Sequence, residues 1–223
     1  MEPAYVNFFL ACGIRAERTA MKLIIISGFL GSGKTTLLLG LVRELASAGD
    51  LEFVILENEV GEISIDGALL EKEGLQVREL FSGCVCCQLA GDLVVTLRDI
   101  AAALAPDGVI LEASGLARVE SILETLDKYY PELDGVMIMS LADLERHELY
   151  LEEPMPFVIN QISRADLVVL NKTDSGDADL VQALEERLKA LNPRAELIKV
   201  SALRGSNLEL VAEKVGAWMR TTS

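Results

Sequence analysis

A 223-residue chain that sets 35 Asp and Glu against 20 Lys and Arg has a formal charge of -15, which argues against nucleic-acid backbones and anionic membrane surfaces as partners. Its residues are 51% hydrophobic but only 5% aromatic, so aliphatic side chains must carry the core, as in a parallel sheet covered by helices. The length suits one generous domain with a sizeable core.

The first feature along the chain is an apolar run from Tyr5 to Ile14, followed by Arg15, Glu17 and Arg18. About ten residues make half of a membrane span, and no basic residue precedes the run, so it reads neither as a membrane helix nor as a signal peptide. Residues 1–20 are expected to be an extension upstream of a start at Met21, with an ordered extra helix as the alternative. Residues 21–223 read as one domain.

From Met21 onward, short aliphatic runs alternate with helical patterns in a βαβ rhythm. Strands are expected at Lys22 to Ser27, Glu52 to Glu57, Gly108 to Glu112, Gly135 to Ser140, Leu167 to Asn171 and Glu196 to Ser201. Helices are expected at Lys34 to Ala48, Asp92 to Ala105, Val119 to Tyr129, Ala178 to Leu191 and Leu208 to Met219. In the fourth helix Leu180, Leu184, Leu188 and Leu191 form an apolar stripe opposite Glu185, Glu186, Arg187 and Lys189. Gly61 to Leu80 is weaker material, suited to a switch segment and a short extra hairpin or strand. The single histidine, His147, falls in a charged stretch, Asp143 to Glu148, read as helical and solvated. The expected class is therefore α/β, a mostly parallel sheet with helices on both faces.

The first strand runs into Gly28-Phe29-Leu30-Gly31-Ser32-Gly33-Lys34-Thr35, which matches G-x-x-x-x-G-K-[ST] between a strand and a helix. Such a loop curls its N–H groups around phosphates, adds the charge of Lys34 and offers the Thr35 hydroxyl to Mg²⁺, with Thr36 completing the nucleotide-binding set. Kinases, ATPases and GTPases share this loop.

The base is chosen by Asn171-Lys172-Thr173-Asp174, an N-K-x-D at the end of a buried strand. A carboxylate at Asp174 can accept the ring N–H and exocyclic amine of guanine, a pair that adenine does not present. Asn171 can address the other edge of the base, and the stem of Lys172 can lie along the ring. A further strand ends at Ser201-Ala202-Leu203, whose N–H groups could meet the guanine oxygen. A P-loop small-molecule kinase is the rival from another class, and Asp174 discriminates against it.

Cys84, Cys86 and Cys87 fall within four positions, which points to thiolate chemistry or metal and away from a disulfide framework. Three thiolates can place two or three sulfurs on a soft cation, and Glu57, Glu62 or a water would complete the shell. Buried free thiols and a redox-sensing cluster are the alternatives.

Together GFLGSGKTTL, ENEVGE (Glu57 to Glu62), GCVCC (Gly83 to Cys87), LEASGL (Leu111 to Leu116) and ADLVVLNKTD resemble the CobW-type metallochaperone GTPases, relatives of the nickel-insertion GTPases, from Met21 to about Trp218. The resemblance implies a P-loop NTPase fold that binds GTP and GDP with Mg²⁺ held by Thr35 and Glu112. It also implies a first switch at Glu57 to Glu62, a second at Glu112 to Gly115, and Zn²⁺ or Co²⁺ on Cys84, Cys86 and Cys87. Lys34, Glu112 and Gly115 would act in hydrolysis, the last giving its N–H to the γ-phosphate.

The implied function couples nucleotide state to delivery of a transition metal, or a cobalamin-related cofactor, to a client metalloenzyme or cofactor-insertion protein in the cytoplasm. No arginine finger or catalytic glutamine is evident, so hydrolysis is expected to be slow and to await a client or a nucleotide-dependent homodimer. Typical members continue into a C-terminal domain and often carry a histidine-rich stretch, whereas this chain stops soon after Trp218 and has one histidine. A regulatory GTPase with redox-sensing cysteines, and a GTP-switched assembly protein without metal transfer, are the alternatives.

Overall fold

The computed structural model describes residues 21–48, 51–57, 76–79, 89–152 and 155–221. Seven strands form one sheet in the order β3-β2-β4-β1-β5-β6-β7. They are β1 (Lys22–Gly28), β2 (Phe53–Glu57), β3 (Gln76–Glu79), β4 (Gly108–Glu112), β5 (Gly135–Asp143), β6 (Leu167–Asn171) and β7 (Glu196–Lys199). Every pairing between these strands is parallel. The helices are α1 (Lys34–Ala48), α2 (Leu89–Leu104), α3 (Val119–Tyr129), α4 (Glu148–Leu151), α5 (Pro156–Ser163), α6 (Ala178–Leu191) and α7 (Leu208–Met219), with a 3-10 turn at Leu144–Arg146.

Side-chain alternation along the strands assigns the helices to two faces. Ile24 and Ile26 of β1, Met139 and Leu141 of β5 and Val169 of β6 point to one side, where Leu37 and Leu41 of α1 and Val211 and Val215 of α7 close over them. Leu23 and Ile25 point the other way, onto Leu93 and Leu97 of α2 and Leu126 of α3. Farther along that second face, Ile138, Val168 and Leu170 meet Val158 and Ile162 of α5 and Leu184 and Leu188 of α6. Burial on both faces explains why β1, β4 and β6 are nearly unbroken Ile, Val and Leu.

Two expectations need correction. β5 runs on through Leu141, Ala142 and Asp143, so Asp143 is a wholly buried strand residue and not part of a solvated helix. The charged stretch after it divides into the 3-10 turn and the four-residue α4, with His147 between them, its Nδ1 3.2 Å from the Leu144 carbonyl. The pattern misled because Glu145 and Glu148 are solvent-facing charges placed directly after a buried strand end. The other difference is α5, since the sequence leads to no expected element between Glu148 and Leu167.

Lys22 fastens the start of β1 to the end of α7. Its buried ammonium donates to the carbonyls of Trp218 (2.9 Å) and Thr221 (2.5 Å) and to Thr221 Oγ1 (3.0 Å), and it lies 4.9 Å from the centre of the Trp218 ring. A cation at these carbonyls also complements the C-terminal end of α7. Lys22→Met is expected to cost about 1–3 kcal/mol, a fall in Tm of about 3–10 °C for a chain of this size by thermal denaturation. Nucleotide affinity should be unchanged, because the site lies at the other end of β1.

Candidate functional site

In an all-parallel sheet the carboxyl ends of the strands share one edge, and a ligand binds there beside the strand where the order reverses. That strand is β1, with β4 on one side and β5 on the other. The chain leaves β1 at Gly28, turns through Phe29 to Ser32 with the Ser32 N–H on the Phe29 carbonyl (3.1 Å), and enters α1. Gly33 stands just before the helix, its carbonyl accepting from Leu37 N at 2.8 Å. At φ +91°, a Cβ on Gly33 would lie 2.5 Å from Asn171 Nδ2, so only glycine fits. The first-turn N–H groups of α1 point toward the loop, and that turn holds no acidic residue, which favours an anion there. Lys34 is buried beside them, and the buried Ser32 hydroxyl has no hydrogen-bond partner among the described residues.

Beyond the loop, Thr35 Oγ1 donates to Glu112 Oε1 at 2.8 Å. Glu112 ends β4 in register with Ile26 of β1 and with Glu57, the last residue of β2. The following loop presses on the phosphate loop, since a Cβ on Gly115 would stand 2.6 Å from Leu30 N and 2.9 Å from its Cα. Gln161 of α5, 2% exposed, holds this loop by donating through Nε2 to the carbonyls of Gly115 and Ala117, both at 3.3 Å.

Asn171, Lys172, Asp174, Ser201, Ala202 and Leu203 gather with Gly31, Gly33, Thr36, Glu145 and Ser175 around one cavity of about 340 Å³. Larger surface depressions of about 760 and 560 Å³ flank β7 and contain none of the phosphate-loop residues. Asn171 is 2% exposed and braces the two halves of the site: Nδ2 donates to Ser32 O (2.8 Å) and Oδ1 accepts from Ala202 N (3.0 Å). The Ala202 N–H expected for the base is therefore directed at Asn171. Lys172 has φ +60° and its ammonium reaches Asp143 Oδ2 (2.9 Å) and Glu145 Oε2 (2.8 Å). Desolvation draws its pKa down, but the bonds to Glu145 and Asp143 outweigh it and leave it raised. A hydrogen bond from Ser201 holds the Asp174 carboxyl below the usual range, with the Arg204 charge adding to it (Arg204 Nε lies 2.9 Å from Asp174 Oδ2).

Among the described residues no group of three or more His, Cys, Asp or Glu is placed to hold a metal, and no helix is long and apolar enough to cross a membrane. Cys84, Cys86, Cys87 and Glu62 lie outside the described residues, and Glu57 is described by its strand position alone. The sequence reading missed Gln161, Asp143, Glu145 and Arg146. Only Gln161 left a local signal, as a polar residue at helical spacing between the buried Val158 and Ile162.

A phosphate loop at the central strand of an all-parallel sheet, facing a cavity lined by N-K-x-D, defines a P-loop nucleotide-binding protein. The chain belongs to the CobW/HypB/UreG family: that family's nucleotide-binding domain matches residues 22–199. Curated relatives include the zinc chaperone YeiR of Escherichia coli, 34% identical over 166 residues, covering 72% of this chain and 49% of that protein. The zinc chaperone YjiA of the same organism is 32% identical over 192 residues, covering 79% of this chain and 56% of that one. The chain thus spans about half the length of these relatives. Among solved structures, the hydrogenase maturation factor HypB of Archaeoglobus fulgidus superposes with a TM-score of 0.67 at 17% identity, covering 91% of this chain and 92% of that one, a likeness of fold.

Proposed function

We propose that this domain binds GTP and GDP, hydrolyses GTP slowly, and couples the nucleotide to carriage of Zn²⁺, or another soft divalent cation such as Co²⁺, for a client metalloenzyme or cofactor-insertion protein in the cytoplasm. The observation that carries the reading is the convergence of the phosphate loop and N-K-x-D on one cavity. Asp174, held as an anion, accepts the N1–H and amine of guanine. The second N–H of Asn171 Nδ2 is left for the other edge of the base, the Leu203 N–H takes the guanine oxygen, and the stem of Lys172 lies along the ring.

The α1 N-terminus, the Ser32 hydroxyl and the Lys34 ammonium receive the β- and γ-phosphates. A buried carboxylate 2.8 Å from a threonine hydroxyl is a hard-oxygen donor set that fits Mg²⁺, which Thr35 and Glu112 would hold, and the ion would supply charge neutralisation between the phosphates. Gly115, pressed on Leu30 and held by Gln161, offers its N–H to the γ-phosphate, so gain or loss of that group moves the loop.

Topology supports a link to metal. β3 and β2 lie beside β4 with their carboxyl ends at the nucleotide edge, and Cys84 follows the end of β3 by five residues, within a reach of about 17 Å. Three strand spacings, about 14 Å, separate β3 from β1. An open thiolate shell linked to the switches would suit a metal that is handed on, and the relatives named zinc chaperones favour Zn²⁺ as cargo. Fluorescent-nucleotide titration is expected to give GDP affinity at least about 100-fold above ADP affinity, because adenine leaves Asp174 without its donor pair. Equal affinity for the two would end the guanine reading.

A further inference from the structure

Asp143 is wholly buried at the end of β5, opposite Asn171 in register, yet it belongs to neither nucleotide motif. Its Oδ1 accepts from Glu145 N at 3.0 Å and caps the 3-10 turn that carries Arg146. Its Oδ2 lies 2.9 Å from Lys172 Nζ and 3.9 Å from Arg146 Nε. Those two cations belong to opposite parts of the site. Lys172 is in the base-reading motif, whereas the Arg146 guanidinium lies 5.1 Å from the centre of the Phe29 ring at the apex of the phosphate loop. A Cβ on Gly31 would stand 3.1 Å from Arg146 Nη2, and Phe29 in turn packs on Phe157 of α5 with ring centres 5.5 Å apart.

We propose that Asp143 is a positioning residue for the nucleotide: one buried carboxylate latches Lys172 to Arg146 and so fixes the apex Phe29 to Gly31 relative to the guanine cavity. A buried anion is costly unless cations compensate it, so displacing either cation strengthens the demand on the other, and the base and phosphate halves become energetically coupled. The inference rests on the assignment of guanine to this cavity.

The test is a double-mutant cycle on GDP affinity, with Lys172→Met and Arg146→Met singly and together, in the natural background and with Asp143→Asn. The latch predicts that Asp143→Asn weakens GDP binding about tenfold. It also predicts that the two single effects depart from additivity by about fivefold or more in the natural background and become additive with Asp143→Asn. Additive effects in the natural background, or coupling that persists with Asp143→Asn, would overturn it. If Asp143→Asn does not fold, the cycle in the natural background decides alone, since additivity there removes the latch. The base preference of Asp174→Asn tests the cavity separately: a shift toward xanthine beside an additive cycle sinks the latch only, and no shift sinks the cavity assignment.

Discussion

Asp174→Asn is expected to weaken GDP binding roughly 100- to 1000-fold while raising affinity for xanthosine diphosphate above that for GDP. In the proposed binding mode Asp174 would accept two donors from guanine, and an amide in its place would confront the N2 amine with its own N–H. Xanthine carries an oxygen at that position and a ring N–H beside it, so Asn at 174 matches it donor to acceptor. The fold should be little affected, because Asp174 lies at the cavity rim in a pair with Arg204. Competition titration with the two diphosphates measures the exchange of preference. A uniform loss for both bases would assign Asp174 to scaffolding and return the choice of base to other residues.

Asn171→Ala is the second large effect, with a different signature. Its amide joins Ser32 of the phosphate loop to Ala202 of the last loop, and both partners are buried backbone groups. Truncation leaves a carbonyl and an N–H unpaired, at about 1–3 kcal/mol each. GDP affinity should fall about 30- to 1000-fold with little change in the ratio of guanine to xanthine binding, and Tm should fall as well. The two variants therefore separate reading the base from bracing the site. An Asn171→Ala protein of unchanged Tm and nearly natural affinity would show that the brace carries little.

The layered α/β architecture was legible because local sequence carried it. β4 and β6 and helices α1, α3, α6 and α7 begin and end where periodicity and aliphatic runs place them. α5 was not legible, since Pro156-Phe157-Val158-Ile159-Asn160-Gln161-Ile162-Ser163 is short and mixes β-branched with polar residues, and its helical state comes from packing on β5 and β6. The phosphate loop and N-K-x-D are contiguous motifs, so their residues could be read one by one. Asp143, Arg146 and Gln161 serve the same site from unrelated positions, and only folding brings Gln161 to Gly115, 46 residues away. The direction of the Asn171 amide was equally hidden, because a motif gives a residue's place but not the partner its side chain takes.

Coupling between guanine nucleotide and metal is tested most directly by titrating Zn²⁺ into the reduced protein with a non-hydrolysable GTP analogue, with GDP and with no nucleotide, beside a variant carrying Ser at 84, 86 and 87. Stoichiometric binding that requires the three cysteines and changes at least about fivefold in affinity between the GTP analogue and GDP is the predicted result. Binding that ignores the cysteines, or an affinity that is the same in every nucleotide state, would contradict it and leave a guanine-nucleotide domain without metal cargo.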